Sequence, residues 1–280
     1  MFIIKFFSDF CDSTTCKINF EKMCDSNNLD FYGLNKKVYI TDKNDYTHAI
    51  ILNKAMPKLN IPKENVIGLA CEPFEFLNIN QEFVNYSQKH VGKYFIGNKS
   101  NLPFPFIEYF GYMWHSNPGK EIVTKNKIMS IIVSQKQFAP GHIYRHKLVE
   151  KIVHLQLPID IYGRGSNMYN YSYVKGEFTD AEPYEDYLFS VCIENFVNNH
   201  YISEKIISPV MFNCMPIYCG CNNINKYFDE VIILSGDIDN DIKVIISILN
   251  EPHKYYKKTY TTKNKKTVNL LENISEIFTK

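Results

Sequence analysis

The chain has 280 residues, 45% of them hydrophobic and 22% charged, with a net charge of +1; that is bulk for one large or two medium soluble domains whose cores need no covalent staples. A charge so near zero excludes a broad nucleic-acid or membrane field, and no uninterrupted apolar run approaches the length of a membrane span. The cations are nearly all lysine, so Arg145 and Arg164 stand out as positions where a planar, bidentate fork is wanted.

In chain order, strands and helices alternate. FIIKFF, KVYI, HAIILN, NVIGLACE and KYFIGN read as short strands, with helical patterns CKINFEKMC and NQEFVNYSQKH between some of them. The proline- and aromatic-rich stretch from 101 to 120, NLPFPFIEYFGYMWHSNPGK, breaks the alternation and reads as a linker or extended crossing. KIMSIIVSQ restarts it as a strand, followed by HIYRHKLVEKIVHL as a helix, IDIYG as a strand and a long loop. YLFSVCIEN then reads as a buried strand finishing at Glu194 and Asn195. After a polar turn at Asn198, Asn199, His200 and Tyr201, the stretch SEKIISPVMFNCM has helical recurrence; Pro209 should kink that helix and Pro216 stop it. PIYCG, a helix around Asn225, VIILSG and a helix from about Asp239 to Leu249 follow. The tail, from about residue 255, ends in a helical pattern around Val268, Leu271, Ile274 and Phe278. The pattern predicts an α/β protein of two doubly wound, Rossmann-type domains, 1–119 and 120–280, facing across a cleft. The basic run KYYKKTYTTKNKK reads as a solvated face.

The eight cysteines show no paired CxxC framework, which argues against zinc, and several sit in apolar runs as small hydrophobes. Free thiols suit a reducing compartment. The opening MFIIKFFSDFCD is broken by Lys5 and Asp9 and is too short for a signal peptide, so the expected location is cytoplasmic.

There is no GxGxxG, no GxxxxGK[ST] and no GxSxG, which removes ordinary dinucleotide, P-loop and nucleophile-elbow sites. Asp237-Ile238-Asp239 has the spacing of a metal clamp, but it begins a helix, where acids suit the dipole; no metal site is assigned. Ser203, Glu204 and Lys205 fall at a helix start, where free N–H groups and the dipole favour an anion and Lys205 adds a full charge. Glu194 and Glu204 are placed to accept hydrogen bonds from sugar or ribose hydroxyls. Spacing alone serves equally a capping Ser203, a dipole-complementing Glu204 and a solvated Lys205. Arg145 favours the anion: in SQKQFAPGHIYRHKLVEKI it follows a strand and a Pro-Gly loop, early on a helix at the same sheet edge, where it can reach a pyrophosphate bidentately.

The block YEDYLFSVCIENFVNNHYISEKIISPVMFNCMPIYCG resembles the signature of the α1,3/α1,4-fucosyltransferases, glycosyltransferase family 10. The match lies in Tyr187, Phe189, Glu194 and Asn195, then Tyr201, Ser203, Glu204 and Lys205, then Pro216, Ile217 and Gly220. Phe196 departs from it, standing where the signature has serine, as does the loop around Asn198, Asn199 and His200. The resemblance implies a GT-B fold and a nucleotide-sugar donor, GDP-fucose in typical members. It also implies direct displacement with inversion, with no tightly bound cofactor and no essential metal. Arg145 and Lys205 match positions that neutralise the diphosphate, Tyr201 and Glu204 match donor contacts, and Glu194 with Asn195 match the strand-end pair beside the nucleotide. Ser203 belongs to the same donor-binding set.

Inversion needs a base for the acceptor hydroxyl. In the family an acid at a strand end of the N-terminal domain supplies it; NVIGLACEPFEF offers Glu72, before Pro73, with Glu75 as second choice. Trp114, Tyr109, Phe110 and Tyr112 could form an acceptor platform or pack between domains. Arg164 either approaches the nucleotide or anchors its loop, and His142, His146 and His200 are expected at the surface. The expected activity is transfer of fucose or a fucose-like sugar from a nucleoside diphosphate to a glycan hydroxyl. Transfer of another deoxy- or amino-sugar, or an inactive sugar-nucleotide- or glycan-binding protein, are the alternatives.

Overall fold

The structure, a computed structural model, describes residues 1–22, 38–110, 124–179, 181–229, 231–257, 270 and 273–279. The chain forms two units. Met1–Asn117, Asn198–Ser203 and Lys266–Lys280 make the first, and Pro118–Val197 and Glu204–Lys265 the second.

The first unit is built on β1 (Phe2–Ser8), β2 (Val38–Thr41), β3 (His48–Leu52), β4 (Val66–Leu69), β5 (Lys93–Ile96) and β6 (Phe106–Glu108). All are parallel, in the order β2-β1-β3-β4-β5-β6. Helices α1 (Ser13–Lys22), α2 (Phe74–Leu77) and α3 (Gln81–His90) belong to it. Strands covered on both faces read as continuous apolar runs, and β4 is buried at every position. Gly68 in β4 makes room for a neighbour: a Cβ there would lie 1.9 Å from the ring of Tyr94 on β5. Tyr94 uses that space to lie fully buried and donate its hydroxyl to the Asn53 carbonyl at 2.6 Å. The Asn53 side chain in turn accepts from the Cys71 N–H at 2.9 Å. A glycine in one strand thereby fixes the turn that presents Glu72.

The second unit is built on β7 (Lys127–Ile132), β8 (Asp160–Tyr162), β9 (Val174–Gly176), β10 (Tyr187–Ile193), β11 (Met215–Cys219) and β12 (Ile232–Ile233). These too are parallel, in the order β12-β11-β10-β7-β8-β9. This is the doubly wound order in which the chain leaves β7 toward one edge and β10 toward the other, so a crevice opens beyond the carboxyl ends of that pair. Helices α4 (Pro140–His154), α5 (Glu204–Met211), α6 (Ile238–Asn250) and α7 (Pro252–Tyr255) complete it. Leu148, Val149 and Ile152 of α4 and Ile242, Ile245 and Ile248 of α6 share one core with Ile131, Val191 and Ile217 of the strands.

Several expectations change. Phe106–Glu108, inside the stretch read as a linker, is the edge strand β6 pairing with β5; three residues between prolines and aromatics carry too little period to be seen. The long loop after β8 holds a 3₁₀ turn and the edge strand β9. The expected helix around Asn225 is one 3₁₀ turn, Ile224–Lys226. Pro216 does not stop α5; it lies inside β11, opposite Ser190. The helix is closed by Asn213, two residues past its last turn, whose φ of 56° is left-handed. The Cys214 N–H returns to the Pro209 carbonyl at 2.9 Å and the Asn213 N–H to Val210 at 3.2 Å, the paired bonds of a Schellman close. In the tail, Ile274–Thr279 is helical. The expected boundary at 119/120, Trp114, Tyr112, Cys24, Val268 and Leu271 lie outside the described residues.

Candidate functional site

The crevice beyond β7 and β10 is formed by close backbone approach. Gly141, in the first turn of α4, donates its N–H to the Asn195 carbonyl at 3.0 Å. A Cβ at that position would stand 1.8 Å from the Glu194 carbonyl oxygen, so only glycine lets the helix start touch the end of β10. One turn on, Arg145 is buried and its guanidinium donates to the Ile193 carbonyl. Just past β11, Gly220 plays the matching part: a Cβ there would meet Glu194 Cγ at 2.4 Å and the Tyr218 hydroxyl at 2.5 Å. Gly141→Ala is therefore expected to cost about 1–3 kcal/mol, because backbone rather than a flexible side chain must yield. A lowered urea midpoint with an unchanged slope would show it.

The Glu194 side chain has no exposed surface, and its Oε2 lies 3.8 Å from Lys205 Nζ. Tyr218 donates its hydroxyl to Glu194 Oε1 at 3.4 Å while accepting from the Cys221 N–H at 2.9 Å. Lys205 Nζ also meets Glu204 Oε1 at 2.8 Å. Burial works to lower the Lys205 pKa, but Glu204 and Glu194 outweigh it and hold the ammonium above the ordinary lysine value. Burial, with the nearby charges of Arg145, Lys136 and Lys205, pushes His142 down to about 4, so it is neutral at pH 7. Its Nδ1 accepts from the Ala139 N–H at 3.3 Å, tying the entry to α4. Two fixed cations and two carboxylates thus stand at one sheet edge. An arriving polyanion can take Lys205 from the partly exposed Glu204, while buried Glu194 keeps the lysine charged.

Arg145, Glu194, Asn195, Glu204 and Lys205 are brought together in the second unit. Tyr201 and Ser203, both buried, belong to the segment Asn198–Ser203 of the first. That segment seats against Gly97, where a Cβ would come within 2.8 Å of the Tyr201 nitrogen. Glu72 is exposed in the bend after β4, and Glu75 is exposed in α2, where both its oxygens are 3.0 Å from Asn198 Nδ2. Arg164 is exposed and pairs with Glu177 at 3.3 Å. The expectation of surface histidines fails for two of the three. His142 and His146 are buried, and His146 bridges the Tyr169 hydroxyl (2.5 Å) and the Ser134 carbonyl (2.8 Å). Asp237 caps α6 through the Asn240 N–H (2.9 Å), and Asp239 meets Lys151 at 3.2 Å. Among the described residues no group of three His, Cys, Asp or Glu side chains is placed to hold a metal, and no helix is long and apolar enough to cross a membrane. Tyr218, Gly141 and His142 were missed as site residues. Tyr218 and Gly141 matter through contacts with Glu194 at the end of another strand, for which a local pattern carries no signal.

The family model of glycosyltransferase family 10 (fucosyltransferase), C-terminal part, matches residues 122–273. A candidate fucosyltransferase of Acanthamoeba polyphaga mimivirus is 26% identical over 198 residues, 63% of this chain. The chain spans about a third of that relative's length, 32%. The crystal structure of an alpha1,3-fucosyltransferase with GDP-fucose superposes with a TM-score of 0.55 at 12% identity, covering 100% of this chain and 90% of that one. TarM gives a TM-score of 0.51 at 12% identity over 83% of this chain and 55% of its own. At such identities the likeness is one of fold, the GT-B arrangement of two parallel α/β sheets.

Proposed function

Because the chain belongs to glycosyltransferase family 10, the fucosyltransferase family, we propose that it moves fucose or a fucose-like sugar from a nucleoside diphosphate, GDP by preference, to a glycan hydroxyl with inversion. The observation that carries this reading is the pairing of Arg145 and Lys205 beside buried Glu194 at the switch point of the second sheet. The diphosphate takes its counter-charges from those two cations. Tyr201, Ser203, Glu204 and Asn195 complete the donor contacts, and Glu194 acts from below as the counter-ion that aims Lys205. Glu72 serves as base, with Glu75 as second choice. Inversion at the sugar carbon needs only a base on one side and charge stabilisation of the leaving diphosphate on the other.

Phe196 supports one further reading, transfer of another deoxy- or amino-sugar, because it stands where the family signature has serine and sits in the turn just beyond Glu194. A thermal-shift panel of nucleotide sugars decides between them, since a ligand that binds the native state raises the melting temperature by mass action. GDP-fucose is expected to give the largest shift; a larger shift with a different sugar nucleotide, or none with any, would overturn the donor assignment. Chelation is expected to leave most transfer activity intact, the fixed cations serving in place of a divalent ion. Complete loss in EDTA, restored by manganese, would overturn the metal-independent reading.

A further inference from the structure

The first unit carries a thiol pair that sugar transfer does not use. Cys11 lies in the turn that leaves β1 and Cys16 in α1, and their sulfurs stand 3.3 Å apart. Three bonds hold that geometry: Ser13 Oγ donates to the Phe6 carbonyl at 2.7 Å, the Thr15 N–H to Asp12 Oδ1 at 2.7 Å, and the Cys16 N–H to the Asp12 carbonyl at 3.0 Å. Cys16 is buried, whereas Cys11 is half-buried and, with Cys71, is one of the two described cysteines that are not buried. An accessible thiol thus stands over a hidden one, already in contact with it.

We propose that Cys11 and Cys16 are a modification site: a dithiol that closes to an intramolecular disulfide by exchange with a low-molecular-weight disulfide of the glutathione type. The Cys11 thiolate attacks one sulfur of the small disulfide, that S–S bond breaks, and one thiolate leaves and takes up a proton. The Cys16 thiolate then attacks Cys11 Sγ and expels the second small thiolate, which is protonated in turn. Two protein thiols and one small disulfide become one protein disulfide and two small thiols, so electrons and protons balance. Burial, reinforced by Cys11 beside it, holds the Cys16 thiol far above the ordinary range, so Cys11, the accessible thiol of the two, makes the first attack. The site has a functional address. In the order β2-β1-β3-β4 the chain reverses between β1 and β3, so the turn carrying Cys11 lies at the switch point of the first sheet. Asp9 of that turn accepts from the Lys54 N–H at 3.3 Å, and the neighbouring Asn53 holds Cys71, the residue before Glu72.

The test treats the full chain with oxidised glutathione, alkylates the remaining thiols and maps tryptic peptides without reduction. Cleavage after Lys5 and Lys17 puts both cysteines in one peptide. The expected result is that peptide unalkylated and lighter by two hydrogens, returning to its reduced mass with dithiothreitol. Cys16→Ser is expected to stop as a glutathione adduct on Cys11, and Cys11→Ser to leave Cys16 a free thiol. In the unmutated chain, alkylation of both cysteines after oxidation, a lasting glutathione adduct on Cys11, or a bond from Cys11 to another cysteine would each overturn the proposal.

Discussion

Lys205→Ala is expected to raise the dissociation constant for the donor diphosphate tenfold or more. A charge-assisted hydrogen bond to a phosphate oxygen contributes about 1.5–3 kcal/mol, and about 1.4 kcal/mol is a factor of ten. The measurement is complicated by what Lys205 does in the free protein. Its ammonium lies 3.8 Å from the wholly buried Glu194 carboxylate, and removing one member of such a pair strands a buried charge, at about 3–5 kcal/mol of stability. Weak binding could then reflect a loosened fold. Adding Glu194→Gln to Lys205→Ala separates the two effects: it removes the stranded charge and is expected to restore the melting temperature without restoring donor affinity. Arg145→Ala is expected to weaken the donor comparably, but it also breaks the bond to the Ile193 carbonyl, so Lys205 is the cleaner probe. Unchanged donor affinity in both Lys205→Ala and Arg145→Ala would sink the assignment of the diphosphate to this crevice.

The central strands were legible in the sequence for a physical reason. FIIKFF, HAIILN and YLFSVCIEN are central strands, and such strands read as near-continuous apolar runs. Edge strands need far less, which is why Phe106–Glu108 and Val174–Gly176 passed for linker and loop. The end of α5 shows a different limit. A proline is a strong helix breaker, yet here Asn213 ends the helix and Pro216 sits in β11; the left-handed residue that closes a Schellman turn is usually glycine, and an asparagine in that place draws little notice. In the site, Arg145, Glu204 and Lys205 stood out by residue type at a helix start. Tyr218 did not, because its hydroxyl matters only once Gly220 lets Glu194 lie beside it. Cys11 and Cys16 were hidden likewise, since four intervening residues match no redox motif and only the turn from β1 into α1 makes them touch.

Glu72→Gln is expected to cost a hundredfold or more in turnover while leaving donor affinity nearly unchanged. The argument begins with the reaction. Inversion requires the acceptor hydroxyl to attack opposite the leaving diphosphate, and a hydroxyl near neutrality attacks well only if a base takes its proton as the new bond forms, an effect typically of 10² to 10⁴. In the proposed reaction, the carboxylates at the crevice of the second sheet are poor candidates for that base. Glu194 is wholly buried against Lys205 and Tyr218, and Glu204 is in contact with Lys205. Glu72 is exposed at the carboxyl end of β4, on the edge of the first sheet where open α/β folds take ligands, and the Asn53–Cys71 bond steadies its turn. Glu75 has the competing position, with Asn198 Nδ2 3.0 Å from both of its oxygens. Glutamine keeps the shape of residue 72 and removes only its basicity, so the loss should fall on kcat and spare the thermal shift given by the donor. Near-normal turnover in Glu72→Gln, with a large loss in Glu75→Gln, would transfer the role to Glu75. Near-normal turnover in both would mean that neither acid takes the proton.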